Sequence, residues 1–310
     1  MIIKLGAYGD IIQVEGALHD IRENNPEAVL TVLTTPGYEE IFTRCPWVDN
    51  ILIDKRLPRW RLDYLLKLRR IFHNESFDMV FDLQCVNRTS FYFRWLFPPN
   101  TPWSGNAPGC LYPVPQDWPD NTPNLVRLDM QLNKAGINTL HTTKPFPIWM
   151  ADEVTGLLEK YDLYDVPYIL FFPSSSKGSD QKRWPFYPQL ADILTDEGWR
   201  VVTVPGPGEL ELCRGIQSTI ISADKNGITF FQLTGIIKNA RYVIGNDTGP
   251  SHMASHLGVP GLALFGSHCP SKATGIGMGS FKTIDTEDLK SLPVEMVFGE
   301  IQKELAYSKS

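Results

Sequence analysis

Residues 242–266 read YVIGNDTGPSHMASHLGVPGLALFG. The apolar runs Tyr242-Val243-Ile244 and Gly261-Leu262-Ala263-Leu264-Phe265 have the composition of buried strands, and the small-residue stretch between them that of a helix. A strand that ends in Asn246-Asp247-Thr248-Gly249, with Pro250 at an early helical position, turns directly into that helix. The first helical N–H groups and the positive end of the dipole then face the carboxyl edge of the strand, which makes a ready anion site. Gly249 lets a ligand approach the backbone, Thr248 offers a hydroxyl, and His252, one turn in, is placed to donate to a phosphate. Ala254, Ser255 and Gly258 are small enough to bring the helix close to the sheet. The plainer alternative is a helix capped by Thr248 or Asp247. A cap needs one such residue and this segment supplies several, so anion binding is the expectation.

Outward from this stretch the second half of the chain alternates. VPYILFFP, WRVVTVP and RYVIG read as strands; helices are expected near Pro188–Glu197, over GELELCRGI and ITFFQLTGIIKNA, and again at Pro293–Leu305. The first hundred residues alternate too, with strands MIIKLG, AVLTVLTT, NILI and FDMVFDLQ, and helices over Asp10–Asn24, GYEEIFTRC and Arg61–Phe72. Such alternation with short connections implies parallel sheets covered by helices on both faces. Between Pro98 and Pro123 the pattern fails: eight prolines in 26 residues make an ordered loop, because Trp103, Leu111, Tyr112 and Trp118 require burial or a ligand. Helical spacing returns at Leu125–Ala135 and at Met150–Tyr161, the second joining two domains. No repeat of fixed period is present. The expected organisation is an α/β chain of two doubly wound domains, 1–149 and 150–310, with a linker helix near 150–163. Facing each other, two such units form a cleft at the carboxyl ends of their strands, where open α/β sheets bind ligands.

The bulk numbers exclude several classes. A chain of 310 residues, 43% of them hydrophobic, can bury two cores. A net charge of −6 argues against a nucleic-acid partner. No apolar run approaches the roughly 20 residues of a membrane span, and the amino terminus lacks a signal pattern. The five cysteines are scattered and never in a CxxC pair, as expected of reduced thiols in the cytoplasm. His268-Cys269 has no second ligand pair nearby, so no metal site is expected there.

Charge is distributed unevenly. Residues 54–70, DKRLPRWRLDYLLKLRR, carry seven Lys/Arg against two Asp, a net of +5, which leaves −11 for the rest of the chain. This tract is either a solvated helix face or, with Trp60 inside it, a landing surface for a phosphorylated glycolipid or an acidic leaflet.

Four segments in order carry a family resemblance. Asp247-Thr248-Gly249-x-x-His252-x-Ala254-x-x-x-Gly258-x-Pro260 with Leu264-Phe265-Gly266 resembles the signature of glycosyltransferase family 9, the heptosyltransferases of bacterial lipopolysaccharide. Gly6-Ala7-Tyr8-Gly9-Asp10-Ile11-Ile12 resembles the amino-terminal GxxGD loop of that family. Lys182-Arg183-Trp184-Pro185 resembles its K-x-W-P element, and Gly206-Pro207-Gly208-Glu209 a GGPxE-like turn. The resemblance implies a GT-B fold, a nucleotide-sugar donor, typically ADP-heptose, and a lipopolysaccharide-core acceptor bound by the amino-terminal domain. It makes Asp10 the catalytic base. It sets Ser174, Ser175 and Lys182 on the donor diphosphate, Glu209 near the ribose, Ile228 near the base, and Asp247, Thr248, Gly249 and His252 around diphosphate and sugar. The chain departs from the pattern at Pro173, where a glycine is usual, at the longer Lys177-Gly178-Ser179 loop, and in the tail ATGIGMGS.

Glycosyl transfer needs a base for the acceptor hydroxyl and positive charge for the leaving diphosphate. Asp10 would supply the first, although an Asp opening a helix also serves as a cap. For the second, many glycosyltransferases hold a divalent ion with Asp-x-Asp; no two Asp here stand one residue apart. Lys182 and the helix end at 249–252 would do that work as preorganised charge, so the expectation is metal-independent, inverting transfer with no cofactor. A dinucleotide dehydrogenase fits poorly, since the first loop is GAYGD and the second strand ends in Leu33-Thr34-Thr35 without a carboxylate. A nucleotide-sugar epimerase and a non-catalytic nucleotide-sugar binder remain as alternatives. Arg59, Arg61, Arg69 and Arg70 are the candidates for the acidic acceptor. The place of work expected is the cytoplasm, with peripheral contact at the inner membrane.

Overall fold

Strand follows helix because short β-branched and aromatic runs alternate with stretches that are apolar at every third or fourth residue. The computed structural model describes residues 1–115, 119, 122–174, 180–222, 227–277 and 279–307. These form two units, Met1–Pro145 and Phe146–Ser310.

The first unit contains β1 (Ile2–Ile3), α1 (Tyr8–Gln13), α2 (Glu15–Asn24), β2 (Thr31–Thr34), α3 (Glu39–Thr43), β3 (Asn50–Ile53), α4 (Leu62–Glu75), β4 (Val80–Asp82), α5 (Asn87–Trp95), β5 (Trp103–Gly105), β6 (Tyr112–Pro113) and α6 (Asn124–Lys134). Its sheet runs β3-β2-β1-β4-β5-β6, all pairs parallel, so the chain reverses its direction across the sheet between β1 and β4. The helix expected over Asp10–Asn24 is two helices meeting at Val14, which has φ −84° and ψ 0°. The proline-rich stretch is not only loop. It adds β5 and β6, with Trp103 fully buried, and Pro113 is tolerated because β6 is an edge strand whose missing N–H costs no ladder bond. Leu111, expected to be covered, is 61% exposed; Trp118 lies outside the described residues. Helix α5 was not expected, because its polar and aromatic residues hide the apolar period. Leu65, Leu68 and Phe72 of α4 pack with Tyr92, Leu33, Val80 and Trp103 in the core of this unit.

The second unit contains α7 (Thr155–Lys160), β7 (Tyr168–Phe172), α8 (Tyr187–Asp196), β8 (Arg200–Thr203), α9 (Leu210–Arg214), β9 (Thr219–Ile220), α10 (Phe230–Lys238), β10 (Tyr242–Asn246), α11 (Gly249–His256), β11 (Gly261–Phe265), α12 (Ser271–Thr274), β12 (Phe281–Asp285) and α13 (Val294–Tyr307). Its parallel sheet runs β12-β11-β10-β7-β8-β9. Counted from the first strand of each unit, the two orders are the same, 3-2-1-4-5-6, with the second switch point between β7 and β10. The helix expected over 150–161 begins only at Thr155, because the Glu153 carboxylate accepts the N–H of Val154 and Thr155 and the Thr155 hydroxyl, closing a turn there. Strands β9 and β12 and helix α12 are short additions with no strong period. Ile169, Phe171, Ile244, Leu262 and Leu264 of the sheet bury against Leu190 and Leu194 of α8 and Val297, Ile301 and Leu305 of α13. Each such fully buried side chain contributes about 1.5–3 kcal/mol.

Candidate active site

The stretch that opened the reading folds as strand, turn and helix: β10 ends at Asn246 and α11 begins at Gly249. Thr248 stands at the N-cap position with extended backbone, yet its side chain accepts no hydrogen bond from the helix. Its hydroxyl instead lies 3.4 Å from the Asn246 carbonyl and 3.3 Å from Ser251 Oγ, and Ser251 Oγ donates to the same carbonyl at 2.7 Å. The plain capped helix is therefore not what forms, and among the described residues no side chain caps the dipole end. The close approach of α11 to β10 rests on Gly245, where a Cβ would lie 2.3 Å from Ser251 Oγ. Gly258 does not serve packing, as the sequence suggested. A Cβ there would meet nothing within 4 Å, and its φ of 73° makes it the left-handed residue that ends the helix.

Asp247, next in the chain, gathers one lysine and two imidazoles. Its Oδ2 accepts from Lys182 Nζ at 2.7 Å and lies 3.1 Å from His268 Nε2; its Oδ1 lies 3.5 Å from His252 Nε2. Burial pushes its pKa up, but hydrogen bonds from His252 and Lys182, and their charges, outweigh that and hold the carboxylate well below its ordinary value. Lys182 follows β7 by a long loop, His252 sits on α11, and His268 follows β11, so three separate connections at the carboxyl edge converge on one side chain. Asn246, fully buried, fixes their backbones. Its amide donates to the carbonyls of Pro173 and Ser174, and its Oδ1 accepts from the Trp184 N–H at 3.2 Å and the Tyr187 hydroxyl at 3.3 Å. Behind His252, His256 is buried and, among the described residues, neither ring nitrogen is hydrogen-bonded; burial, then the neighbouring His252, lowers its pKa to about 3.

The other donor candidates occupy the same edge. Ser174 is half-buried and tied to Asn246 through its carbonyl; Ser175 lies outside the described residues. Glu209 turns back to accept the Gly206 N–H at 2.9 Å, closing the turn after β8 and opening α9. Ile228, half-buried, precedes the Thr229–Gln232 capping box that starts α10. Lys182 and His252 thus both contact Asp247, Thr248 and Gly249 adjoin it in the chain, and Glu209 and Ile228 sit on neighbouring loops. His268 and Asn246 were not assigned roles from sequence. The pairing of β10 with β11 was the available signal for His268, since the residues just past adjacent parallel strands share an edge.

In the first unit, Asp10 lies in the first turn of α1 after β1, at that sheet's switch point. Gly6, with φ 127°, is needed there, because a Cβ would lie 2.6 Å from Tyr38. Asp10 Oδ2 accepts the Ala7 N–H at 3.2 Å and lies 3.8 Å from the buried Lys4 Nζ. Burial depresses the Lys4 pKa, while Asp10 and its neighbours oppose that. Asp10 therefore does cap its helix, yet its side chain is 48% exposed, and among the described residues no hydrogen bond reaches Oδ1. A carboxylate held at one oxygen and open at the other is suited to accept a proton.

The basic tract is largely tethered. Arg59 donates to the Asn87 carbonyl and lies over the Phe91 ring, Arg61 makes a two-pronged pair with Asp63, and Arg69 donates to the Trp95 carbonyl at 2.5 Å. Arg70 is exposed. Beneath them, buried Asp54 accepts from Tyr64 and Tyr92 and pairs with Arg88, anchoring the start of the tract.

Two doubly wound units, one with Lys182 and two imidazoles converging on Asp247 beside a helix N-terminus at its switch point, have the form of α/β proteins that bind phosphorylated ligands. The model of glycosyltransferase family 9 (heptosyltransferase) matches residues 65–282, and the chain belongs to this family. It is a glycosyltransferase with the GT-B fold. It is 24% identical to lipopolysaccharide heptosyltransferase 1 of Pseudomonas aeruginosa, over 87% of this chain and 79% of that one. In fold it is similar to the E. coli ADP-heptose lipopolysaccharide heptosyltransferase II (TM-score 0.75, 18% identity, 100% of this chain and 99% of that one). It is similar also to E. coli heptosyltransferase WaaC solved with ADP-2-deoxy-2-fluoro heptose (TM-score 0.73, 16% identity, 97% and 98%).

Proposed function

We propose that this glycosyltransferase moves a heptose from ADP-heptose to a sugar of the lipopolysaccharide core by direct displacement with inversion. The observation that carries the reading is the convergence of Lys182, His252 and His268 on Asp247 beside the open N-terminus of α11. Family membership and the names of the relatives supply the sugar.

The second unit binds the donor. The diphosphate lies against the N–H groups at Gly249 and Ser251, with Lys182 and His252 donating to it; Ser174 flanks it, Glu209 contacts the ribose and Ile228 the base. Asp247 is itself an anion, so its contribution is to hold Lys182 and the imidazoles in position and to keep them positively polarised as the diphosphate arrives. The first unit binds the acceptor and supplies Asp10. As the acceptor oxygen forms its bond to the anomeric carbon, the hydroxyl proton passes to Asp10 and the bond from that carbon to the diphosphate oxygen breaks. The charge growing on ADP meets fixed donors, a contribution of about 2.7–4 kcal/mol for a single well-placed one. No metal ion is assigned to this step.

The acceptor is an anionic glycolipid. Arg59, Arg61, Arg69 and Arg70 face it with exposed Trp60, Leu62, Leu66 and Trp95 at the same surface, a mixture suited to an acidic leaflet. Among the described residues no helix is long and apolar enough to cross a membrane, so the contact proposed is peripheral, on the cytoplasmic side of the inner membrane.

A calorimetric panel of ADP, UDP, GDP and their sugars tests the donor, followed by product analysis with heptose-deficient lipopolysaccharide core. ADP selectivity and heptosylated core in the presence of EDTA are expected. UDP selectivity, turnover without an acceptor, or activity restored only by Mg²⁺ after chelation overturns the corresponding part.

A further inference from the structure

Helix α2 presents Gly16, His19, Asp20 and Glu23 at positions i, i+3, i+4 and i+7, a single face. The segment 138–142 is clamped across that face. The buried Asp20 carboxylate accepts the N–H groups of Leu140, His141 and Thr142 and the Thr142 hydroxyl, at 2.6–3.1 Å. Asn24 and Asn138 exchange two further bonds, each 2.9 Å. Gly16 permits the approach, since a Cβ there would lie 2.1 Å from the His141 carbonyl oxygen.

This clamp fixes His141 over His19, ring centroids 3.8 Å apart and nearly parallel, with Trp47 stacked on the other side of His19 at 4.5 Å. Both Nε2 atoms face one carboxylate: His19 lies 3.3 Å from Glu23 Oε1 and His141 3.4 Å from Oε2. One ligand atom from each of the three residues lies within 4.8 Å of the others, and among the described residues no other three such side chains converge so closely.

We propose that His19, Glu23 and His141 bind a divalent transition-metal ion of the zinc type, which ties α2 to the 138–142 segment. Two imidazole nitrogens and one carboxylate oxygen, with no thiolate, suit Zn²⁺ and its neighbours in the first-row series over Mg²⁺ or Ca²⁺. The His–Glu separations of 3.3 and 3.4 Å already suit ligands about 2.0–2.2 Å from one ion; loading requires the two rings to turn out of their parallel stack until both in-plane Nε2 lone pairs point at it. Partly exposed side chains do this by side-chain rotation, while their backbones stay held. Their exposure admits the ion and leaves it water in the remaining positions.

The ion is a fastener and takes no part in transfer. In a β–α–β crossover the helix runs back from the carboxyl edge of the sheet to its amino edge, and Glu23 is one residue from the end of α2. The site therefore sits at the sheet edge opposite the Asp10 loop.

The test uses tag-free, metal-stripped full-length protein titrated with Zn²⁺ against a chromogenic chelator, with Co²⁺ as a spectroscopic probe. One Zn²⁺ per chain at micromolar affinity or better, a rise in Tm on loading, and visible Co²⁺ bands are expected. His19→Ala, His141→Ala and Glu23→Gln each remove the bands and weaken Zn²⁺ binding by at least the 10–100-fold typical of losing a site's support. Circular dichroism confirms that each variant is folded. Asn24→Ala, which loosens the clamp and keeps all three ligands, lowers affinity and leaves stoichiometry at one. No saturable binding by the wild type, or the same stoichiometry and Co²⁺ spectrum in His19→Ala and His141→Ala, overturns the site. Because the readout is metal binding, its failure leaves the donor and acceptor assignment untouched.

Discussion

Lys182 Nζ lies 2.7 Å from Asp247 Oδ2, joining two residues 65 positions apart at the edge where β7 and β10 diverge. The pair is mostly buried, with His252 and His268 completing the ring of donors around one carboxylate. A buried charge pair of this kind is weak evidence for stability but strong evidence of placement, since its geometry survives only where the surroundings fix it.

By the proposed mechanism, replacing Lys182 with Met removes the fixed positive charge that meets the leaving diphosphate. kcat/KM falls by about 10²–10³-fold, as when one preorganised donor is lost, and ADP binds more weakly by calorimetry. Asp247→Asn keeps the shape and loses the charge that holds Lys182 and the imidazoles, so kcat falls with the fold intact. Unchanged kcat/KM in Lys182→Met would remove the diphosphate from this site.

Asp10 caps and, by the proposed mechanism, also accepts a proton; two variants separate these. Asp10→Asn keeps an oxygen for the Ala7 N–H and loses the base. Turnover drops by about 10²–10⁴-fold with Tm and ADP affinity near wild type. Asp10→Ala loses both, adding roughly 1 kcal/mol of destabilisation. A fully active Asp10→Asn would leave Asp10 only its capping role.

Much of this was legible in the sequence because its signals are local. The turn Asn246–Gly249, the alternation of strands and helices, and Lys182 and Asp10 after strand ends are patterns a few residues long. What was missed depends on partners far along the chain. Strands β5, β6, β9 and β12 are only two to five residues each, and they exist because a neighbouring strand offers its edge. His268 gains meaning only from the β10–β11 pairing, and His19 with His141 only from the Asp20 clamp. Arg59, Arg61 and Arg69 read as untethered side chains, yet Arg59 and Arg69 each donate to a nearby carbonyl and Arg61 pairs with Asp63.

His256 makes stability depend on pH. Its pKa falls from 6.5 to about 3 on folding, so below pH 6.5 the unfolded chain takes up a proton that the folded one refuses. Stability contributed at neutral pH is then lost as pH falls toward 3, by about 1.4 kcal/mol per unit, and this group adds no dependence above 6.5. Urea unfolding at several pH values checks this: the wild type loses stability with acidification faster than His256→Leu. Parallel curves for the two proteins would refute the assignment.

The surface of α4 separates two readings of the basic tract. Leu65, Leu68 and Phe72 face the core, while Trp60, Leu62 and Leu66 are 79%, 66% and 65% exposed, beside Arg70 and the exposed Trp95. A purely solvated helix gains nothing from exposed Trp and Leu, whereas a leaflet-facing one gains apolar insertion and about 1 kcal/mol for each basic residue near anionic lipid. Arg70→Glu changes the charge by two and lowers binding to acidic vesicles by roughly 30-fold on that scale. Trp60→Ser with Leu66→Ser weakens vesicle binding at every salt concentration, because the apolar share is not screened. With a soluble, delipidated acceptor these serine variants turn over like the wild type. An Arg61→Glu, Arg70→Glu double variant raises the acceptor KM and leaves the donor KM unchanged. If sedimentation with acidic vesicles is the same for the wild type and all of these variants, α4 presents an ordinary solvated face, and the acceptor must be recognised elsewhere on the first unit.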